Sequence, residues 1–493
     1  MTCRVPFIVA GMAALFCASA PAQAETLREA LLKAYQTNPT LGAARQGQNA
    51  LNENVPIAKS RGRPNAQAEP VYTENVLVDE EAFVIQRRSF TAPVSIAVPL
   101  YQGGGVKNAV RAAKTRVDAG FAGLRGTESA IFSAVVAAYM DVIRDEAIVE
   151  LNRAQVGVLS VNLEATRDRF QIGDLTRTDV AQSDARLAFS VSNLEAARAN
   201  LIRSKETYIQ LVGTPPRDLQ APPPLPNLPD APNTAVDVAL DSNPDLISAR
   251  ERRGAAFYDR KAANANRLPS VSAFSRTQYT NALGSIDGPD IPTFAPTNSV
   301  VTSQVGVRAT IPLYQGGRPA AQIRQAQAQL GQAIEQEIAA ERDVIAQTRS
   351  AYASWRASLQ LIASSQRAVA ANELSLEGTR AENTVGNRTI LDILNAEQEL
   401  LNSQVNLVTA RRNAYVAGFT LLAAMGKAEA RDLGLDGGPL YDPVADYQSV
   451  ENAWNDWSAR PDPVARSTRT IDSPAQKAEI KPLPDFGRRI PGQ

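Results

Sequence analysis

The feature that most constrains the fold is an internal duplication of the sequence. Residues 98–104, Val-Pro-Leu-Tyr-Gln-Gly-Gly, recur at residues 311–317 as Ile-Pro-Leu-Tyr-Gln-Gly-Gly, an offset of 213 positions. The same offset relates Tyr139 to Tyr352, Gly173 to Gly386, Asp179 to Asp392 and Gly213 to Gly426. Because one register holds over more than 100 residues, the sequence predicts a tandem repeat of one structural unit.

The duplication sets the predicted domain boundaries. The first repeat is expected at residues 25–213 and the second at residues 233–426. Residues 214–232 between them carry eight prolines, which favour a stiff, extended linker. Residues 427–493 are polar and carry another eight prolines, so we expect a mostly disordered tail.

Residues 1–24 have the pattern of a secretory signal peptide. Arg4 precedes an apolar run over residues 5–20, and Ala22-Gln23-Ala24 provides a small-residue cleavage site. Cys3 and Cys17 both lie within this segment, so the mature chain is expected to be exported and to contain no cysteine. After this segment we expect no membrane-spanning helix.

Composition excludes several classes of function. The chain has no histidine, which rules out Ser-His-Asp and Cys-His catalysis and histidine-ligated metals. Its 51 basic and 51 acidic residues do not favour a nucleic-acid-binding surface. The glycines at residues 103–105 lack the phosphate-binding pattern, because Asn108 stands where its second glycine belongs. We therefore predict no enzyme activity, no cofactor and no metal site.

Each repeat is predicted to contribute one β-hairpin, at about residues 65–99 and 270–312. Apolar residues alternate with polar ones in the second strand of each hairpin: Phe90, Ala92, Val94, Ile96 and Val98, and then Val301, Val305, Val307, Ala309 and Ile311. Alternation of this kind is typical of barrel strands with a lipid-facing and a polar face. A soluble sheet with one covered face is the alternative that alternation leaves open.

Long helices are predicted after each Gly-Gly pair. In the first repeat, apolar residues recur in steps of three and four from Ile131 to Phe170, a period typical of coiled-coil packing. A helix over residues 105–170 would be about 100 Å long, and a returning helix over residues 175–212 about 57 Å. The predicted fold class is α+β, with duplicated long antiparallel helices and four strands.

Four strands cannot close a barrel, and open edges in lipid would leave amides unpaired. Closure therefore requires an oligomer, and two, three or four chains would supply 8, 12 or 16 strands. The helices of such an oligomer would form a cylinder continuous with the barrel, which is the shape of a duct.

Several motifs together resemble those of TolC-type outer-membrane efflux proteins. They are the duplicated Pro-Leu-Tyr-Gln-Gly-Gly segment, the Asn-Pro-x-Leu-x-x-Ala segments at residues 38–44 and 243–249, and Val-Gly-Asn-Arg-Thr at residues 385–389. The resemblance implies a homotrimer whose 12-stranded transmembrane barrel continues into a periplasmic α-helical barrel. It also implies docking to a periplasmic adaptor and to an inner-membrane transporter of the ABC or RND type. The cargo would be small toxic compounds or polypeptides of type I secretion.

Two turns between the long helices carry the candidate functional residues. Gly173 and Gly386 lie where a helix ends, a position that favours glycine. Asp179 and Asp392 follow six residues later, where carboxylates suit the helix dipole. For Asp179, this structural role alone is as good an explanation as a functional one.

The resemblance assigns these turns to the periplasmic entrance. The gate residues that it implies are Asp392, Arg388, Asn395, Thr178 and Asp179. Three copies of Asp392 would form a ring of carboxylates with raised pKa values, and Arg388 would bond to Thr178 and Asp179. Asn395 replaces a second ring aspartate, and Asn383 replaces a linking tyrosine. The adaptor contacts that it implies are Gly173, Leu175, Thr176, Gly386, Asn387 and Thr389.

A competing hypothesis is an exported coiled-coil scaffold or adaptor without a pore. It explains the long helices, but it does not explain two hairpins with lipid-type alternation in equivalent places of both repeats.

Overall fold

The structure is a computed structural model that describes residues 24–77, 85–287, 298–435 and 440–479. The predicted signal peptide, except Ala24, lies outside the described residues, as do parts of both predicted hairpin turns and the end of the tail. The helices are α1 Leu27–Thr37, α2 Pro39–Asn52, α3 Asn54–Ser60, α4 Gly105–Gln171, α5 Arg177–Val212, α6 Pro232–Ser242, α7 Pro244–Ala265, α8 Arg318–Thr384, α9 Ile390–Ala424 and α10 Pro443–Val450. The strands are β1 Asn65–Ala68, β2 Val71–Glu74, β3 Ile85–Gln86, β4 Arg88–Gln102, β5 Ser270–Asn281, β6 Ile286–Asp287 and β7 Ser299–Thr310.

Asparagine caps join the short helices to the long ones in both repeats. The Asn38 side-chain oxygen accepts hydrogen bonds from the backbone at the start of α2, and its amide donates to the Leu211 carbonyl near the end of α5, at 3.0 Å. Asn243 caps α7 in the same way and donates to the Ala424 carbonyl at the end of α9, at 2.9 Å. Since Leu211 and Ala424 are also 213 positions apart, the duplicated sequence makes duplicated contacts.

The predicted long helices are present. α4 and α8 each span 67 residues, which corresponds to about 100 Å. α5 and α9 return antiparallel to them, and α9 also packs against α4 of the first repeat. The Gly-Gly pairs precede α4 and α8 as positive-φ turns that connect strand to helix.

The expectation that no later segment is apolar enough to span a membrane was wrong for α4. An 18-residue stretch of this helix is long and apolar enough to cross a membrane, and half of that stretch is buried inside the protein. Because α4 packs against α1, α5, α7 and α9, we attribute its apolar composition to packing in the protein core.

Five strands form one antiparallel sheet in the order β1–β4–β5–β7, with β2 also paired to β4, and β3 pairs with β6 in a separate two-stranded sheet. The predicted first strand is split into β1 and β2, because Pro70 between them has no backbone N–H to donate. The pairing of β4 with β5 joins the hairpins of the two repeats. Among the described residues, β7 pairs only with β5, and the β1–β2 edge pairs only with β4.

The register places most apolar residues of β4 and β7 on one face of the sheet. Cross-strand rows on this face are Val94–Thr277–Ser303, Ile96–Ser275–Val305 and Val98–Ala273–Val307. Directly paired residues of antiparallel strands point to the same side, so Ser95, Arg276 and Gln304 form a polar row on the opposite face. The predicted alternation is confirmed for the apolar sets of β4 and β7, whereas Phe274 of β5 and Val300 of β7 lie on the otherwise polar face.

The main hydrophobic core lies between α1, α4, α5, the end of α9 and residues 428–435. Phe132, Tyr139 and Tyr208 are its largest buried side chains. The expectation of a mostly disordered tail is corrected for its described part: Ala428, Ala430 and Leu435 enter this core, and α10 packs on α2. These three apolar residues precede Pro439, the first proline of the segment, and the polar average of the whole segment conceals them.

Candidate functional site

Two turns at the far ends of the long helices have the same backbone geometry. We call residues 172–176 the first tip turn and residues 385–389 the second tip turn. Gly173 and Gly386 both have φ of 84°, a left-handed conformation that favours glycine, and neither would meet a neighbour with an added Cβ. The backbone conformation therefore accounts for both glycines.

Each tip turn leads into a capping box. The Asp179 carboxylate accepts from the Thr176 backbone N–H at 2.9 Å and from its hydroxyl at 2.7 Å. Asp392 makes the same bonds to Thr389, at 2.9 and 2.8 Å. Both aspartates thus stabilise the start of the returning helix, as the helix-dipole argument predicts.

The second tip turn has an additional ion pair. Arg388 Nε donates to Glu382 Oε2 at 2.7 Å, and the Asn383 amide donates to the Arg388 carbonyl at 2.7 Å. The equivalent of Arg388 in the first repeat is Leu175, which has no charge. Within one chain Arg388 therefore contacts its own turn, and the bonds to Thr178 and Asp179 of a neighbouring helix pair stay a prediction.

The electrostatics of the second tip turn favour ionised side chains. The pKa of Asp392 is lowered, first because its carboxylate accepts a bond from the Thr389 backbone N–H and then from the Thr389 hydroxyl. The hydrogen bond to Glu382 raises the pKa of Arg388. In the single chain the pKa of Asp392 thus moves in the direction opposite to that expected for a carboxylate ring.

Polar contacts near the tip turns join the two repeats. Arg186 of α5 donates to Asn395 of α9 at 2.7 Å, so the asparagine expected at a ring position contacts the first repeat. The buried Glu397 of α9 accepts from Asn162 of α4 at 3.0 Å and from Arg380 of α8 at 3.0 Å. Sequence reasoning missed these contacts.

A further contact lies closer to the middle of the helices. Arg412 of α9 binds Asp141 of α4 with two hydrogen bonds, at 2.8 and 3.1 Å. The duplication is the only sequence feature that could have drawn attention to these residues. Arg380 and Glu397 are the equivalents of Arg167 and Asp184 at the offset of 213.

The tip turns present exposed surface. Of the predicted adaptor contacts, Leu175 is half-buried and the others are exposed: Gly173, Thr176, Gly386, Asn387 and Thr389. Two apolar residues that sequence reasoning did not select, Ile172 and Val385, are 81% and 70% exposed at equivalent positions of the two turns. An apolar side chain on an exposed turn suits contact with another protein.

A sheet with one apolar face and two open edges, joined to long antiparallel helices, is the architecture expected of a channel-type protein of the bacterial outer membrane. The family model described as "Outer membrane efflux protein" matches residues 30–214 and 235–427. The chain belongs to this outer membrane efflux protein family. Its location is accordingly the outer membrane, with the helical part in the periplasm.

Three comparisons illustrate the similarity. The outer membrane efflux protein BepC of Brucella suis is 35% identical over 435 residues, covering 88% of this chain and 92% of BepC. The outer membrane protein TolC of Escherichia coli is 28% identical, covering 62% of this chain and 64% of TolC. The crystal structure of the Campylobacter jejuni CmeC outer membrane channel matches with a TM-score of 0.71 at 14% identity, covering 86% of this chain and 89% of CmeC. The resemblance to TolC-type proteins is thereby confirmed.

Proposed function

We propose that the chain forms the outer-membrane channel-tunnel of a tripartite export machine. Three chains would close a 12-stranded barrel on top of an α-helical tunnel. An adaptor and an inner-membrane transporter would deliver small toxic compounds or type I secreted polypeptides. The observation that carries this proposal is the sheet, whose apolar face suits lipid and whose open edges β7 and β1–β2 need partner strands.

The helices support the same assembly. α8 has the length of α4, but 7 of its residues are buried in the chain against 21 in α4. A helix of this length with so little burial needs a neighbour to cover it, and a second protomer supplies one.

The second tip turn is the proposed gate. Asp392 lies at the start of α9 with its carboxylate ionised and half-exposed, and Arg388 stands beside it in an ion pair with Glu382. Three copies of Asp392 around the axis would narrow the entrance and attract cations. Asn395, Thr178 and Asp179 would adjoin this ring.

Single-channel conductance tests the gate. We expect Asp392→Ala and Arg388→Ser each to raise conductance, because one removes the carboxylate ring and the other releases the turn. Glu195→Gln serves as a control, since it removes an exposed carboxylate from the middle of α5. Unchanged conductance in both tip variants would remove the gate assignment.

The tip turns are also the proposed adaptor contacts. Leu175→Cys and Asn387→Cys, labelled with a cross-linker in cells, should capture a periplasmic adaptor, and Ser192→Cys on the exposed side of α5 should not. If neither tip position captures an adaptor, docking at these turns is contradicted.

A further inference from the structure

The C-terminal segment follows a path toward the membrane end of the helices. Tyr441 hydrogen-bonds to the Asn49 side chain at 2.8 Å, and Asp446 accepts from Asn52 of α2 at 2.9 Å. Glu451 then binds Lys59 of α3 at 3.2 Å. These contacts advance steadily along α2 and α3 toward β1.

The segment then turns back. Arg460 contacts Glu53, the residue between α2 and α3, at 3.6 Å, and Ser467 lies against Gly42 near the start of α2. Farther on, the Gln476 backbone donates to Glu206 of α5 at 3.2 Å. The segment therefore runs toward the sheet and back again. We call residues 452–458, where it reverses direction, the tail apex.

The tail apex lies where the helices meet the sheet. The Arg63 guanidinium, two residues before β1, stacks over the Trp454 ring at 4.7 Å and donates to the Ala453 carbonyl. Lys114 holds Glu451 in an ion pair of 2.5 Å. Because Lys114 is nine residues from the start of α4, this pair lies about 14 Å from the end of the helix.

Both tryptophans of the tail apex are largely exposed. Trp454 is 65% exposed and Trp457 is 94% exposed. Tyr101 near the end of β4 and Tyr314 after β7 lie at the same junction and are exposed as well. Tryptophan and tyrosine are enriched at membrane–water interfaces, where the ring contacts lipid and its polar group stays hydrated.

We propose that the tail apex is a lipid anchor that places Trp454 and Trp457 in the headgroup region of the periplasmic leaflet. Exposed aromatic residues therefore lie both where the strands end and on the tail apex, near the point where the helices begin. The anchor would fix the depth of the barrel in the membrane. This inference rests on the outer-membrane location of the family and not on the proposed gate.

Depth-dependent quenching of tryptophan fluorescence tests the anchor. The chain has three tryptophans, and Trp355 of α8 lies about 55 Å along its helix from the sheet. Single-tryptophan variants are made by phenylalanine substitution: W355F/W454F retains Trp457, W355F/W457F retains Trp454 and W454F/W457F retains Trp355. The full-length proteins are reconstituted in phosphatidylethanolamine–phosphatidylglycerol vesicles that carry bromine near either the carbonyl or the methyl end of the acyl chains.

We expect shallow bromine to reduce the emission of Trp454 and Trp457 about twofold, deep bromine to act less, and Trp355 to be unaffected. Quenching of Trp454 and Trp457 by aqueous iodide alone would place them in water and overturn the anchor. Resistance to both quenchers would place them between protomers and overturn it equally. Because channel conductance plays no part in this experiment, its outcome is independent of the gate.

Discussion

The two repeats contain ion pairs at equivalent positions but in different surroundings. Arg167 and Asp184 of the first repeat are 3.3 Å apart, with side chains 56% and 63% exposed. Arg380 and Glu397 occupy the equivalent positions at 3.0 Å, and Glu397 is 2% exposed. The difference arises because α9 packs against α4, which brings Asn162 onto Glu397. Burial here depends on the neighbouring repeat and not on the local sequence.

The comparison indicates what a neighbouring protomer would contact. In the chain, α4 of the first repeat covers α9 of the second. α8 is the repeat equivalent of α4, and α5 is the repeat equivalent of α9. In a closed ring, α8 of one protomer would therefore cover α5 of the next. Ser375, the equivalent of Asn162, would then lie against Asp184 of the partner subunit.

The largest expected effect is a cross-link between subunits. The double variant Ser375→Cys/Asp184→Cys should form intermolecular disulfides, because the two positions would be juxtaposed between α8 and the next α5. The measurement is the appearance of dimer and trimer bands on non-reducing gels. Ser375→Cys/Glu195→Cys, displaced by 11 residues or about 17 Å along α5, should remain monomeric. Monomer alone from both pairs would contradict the proposed ring.

The next effect concerns stability. Glu397→Ala should lower the free energy of unfolding by about 2 kcal/mol, because it removes charge-assisted hydrogen bonds from a buried position. Asp184→Ala should cost less than about 0.5 kcal/mol if its ion pair stays exposed, and more than about 1 kcal/mol if a partner subunit covers it. Thermal unfolding of the detergent-solubilised oligomer separates these cases, and a neutral Asp184→Ala would argue against the α8–α5 contact.

The capping boxes offer a matched pair of smaller effects. Thr176→Ala and Thr389→Ala should each reduce helix stability by about 1 kcal/mol, because each removes an N-cap hydroxyl. Only Thr389→Ala should also raise conductance, since only the second tip turn is proposed to face the axis. Equal conductance changes in the two variants would show that the tips do not differ as proposed.

The smallest expected effect is on tail attachment. The hydrogen bond from Lys114 holds the pKa of Glu451 below its ordinary value of 4.5. Ionised Glu451 therefore stabilises the attachment of the tail fully above pH 4.5, and this stabilisation is lost as the pH falls further. The same bond raises the pKa of Lys114 above 10.5, so the stabilisation of the tail by protonated Lys114 is lost only at more alkaline pH. Both groups are partly exposed, and the pair contributes less than about 1 kcal/mol.

Limited proteolysis of the tail as a function of pH checks this prediction. Cleavage should increase below about pH 4.5 in the unchanged protein. Glu451→Gln should be cleaved more readily at neutral pH and should lose most of the acid transition. Identical pH profiles for the two proteins would exclude Glu451 as the attachment point.

Much of the fold follows from the duplication and from two periodicities. The helix that begins at Gly105 and the apolar face that carries Ile96 and Val305 were predictable, because each depends on spacing within one segment. Glu397 was not predictable as a buried residue, since its environment depends on how α9 meets α4. The path of the tail was not predictable either, because the contacts of Glu451 with Lys59 and Lys114 are made over more than 300 residues.

The most direct test of the account is the single-channel conductance of the purified, unmodified protein in a planar lipid bilayer. We expect a small, stable, cation-preferring conductance, because the proposed barrel would be open while ionised Asp392 residues would narrow the entrance. A well-folded oligomer that forms no channel would contradict it. The assignment of the apolar sheet face to lipid would then have to be abandoned in favour of a coiled-coil scaffold.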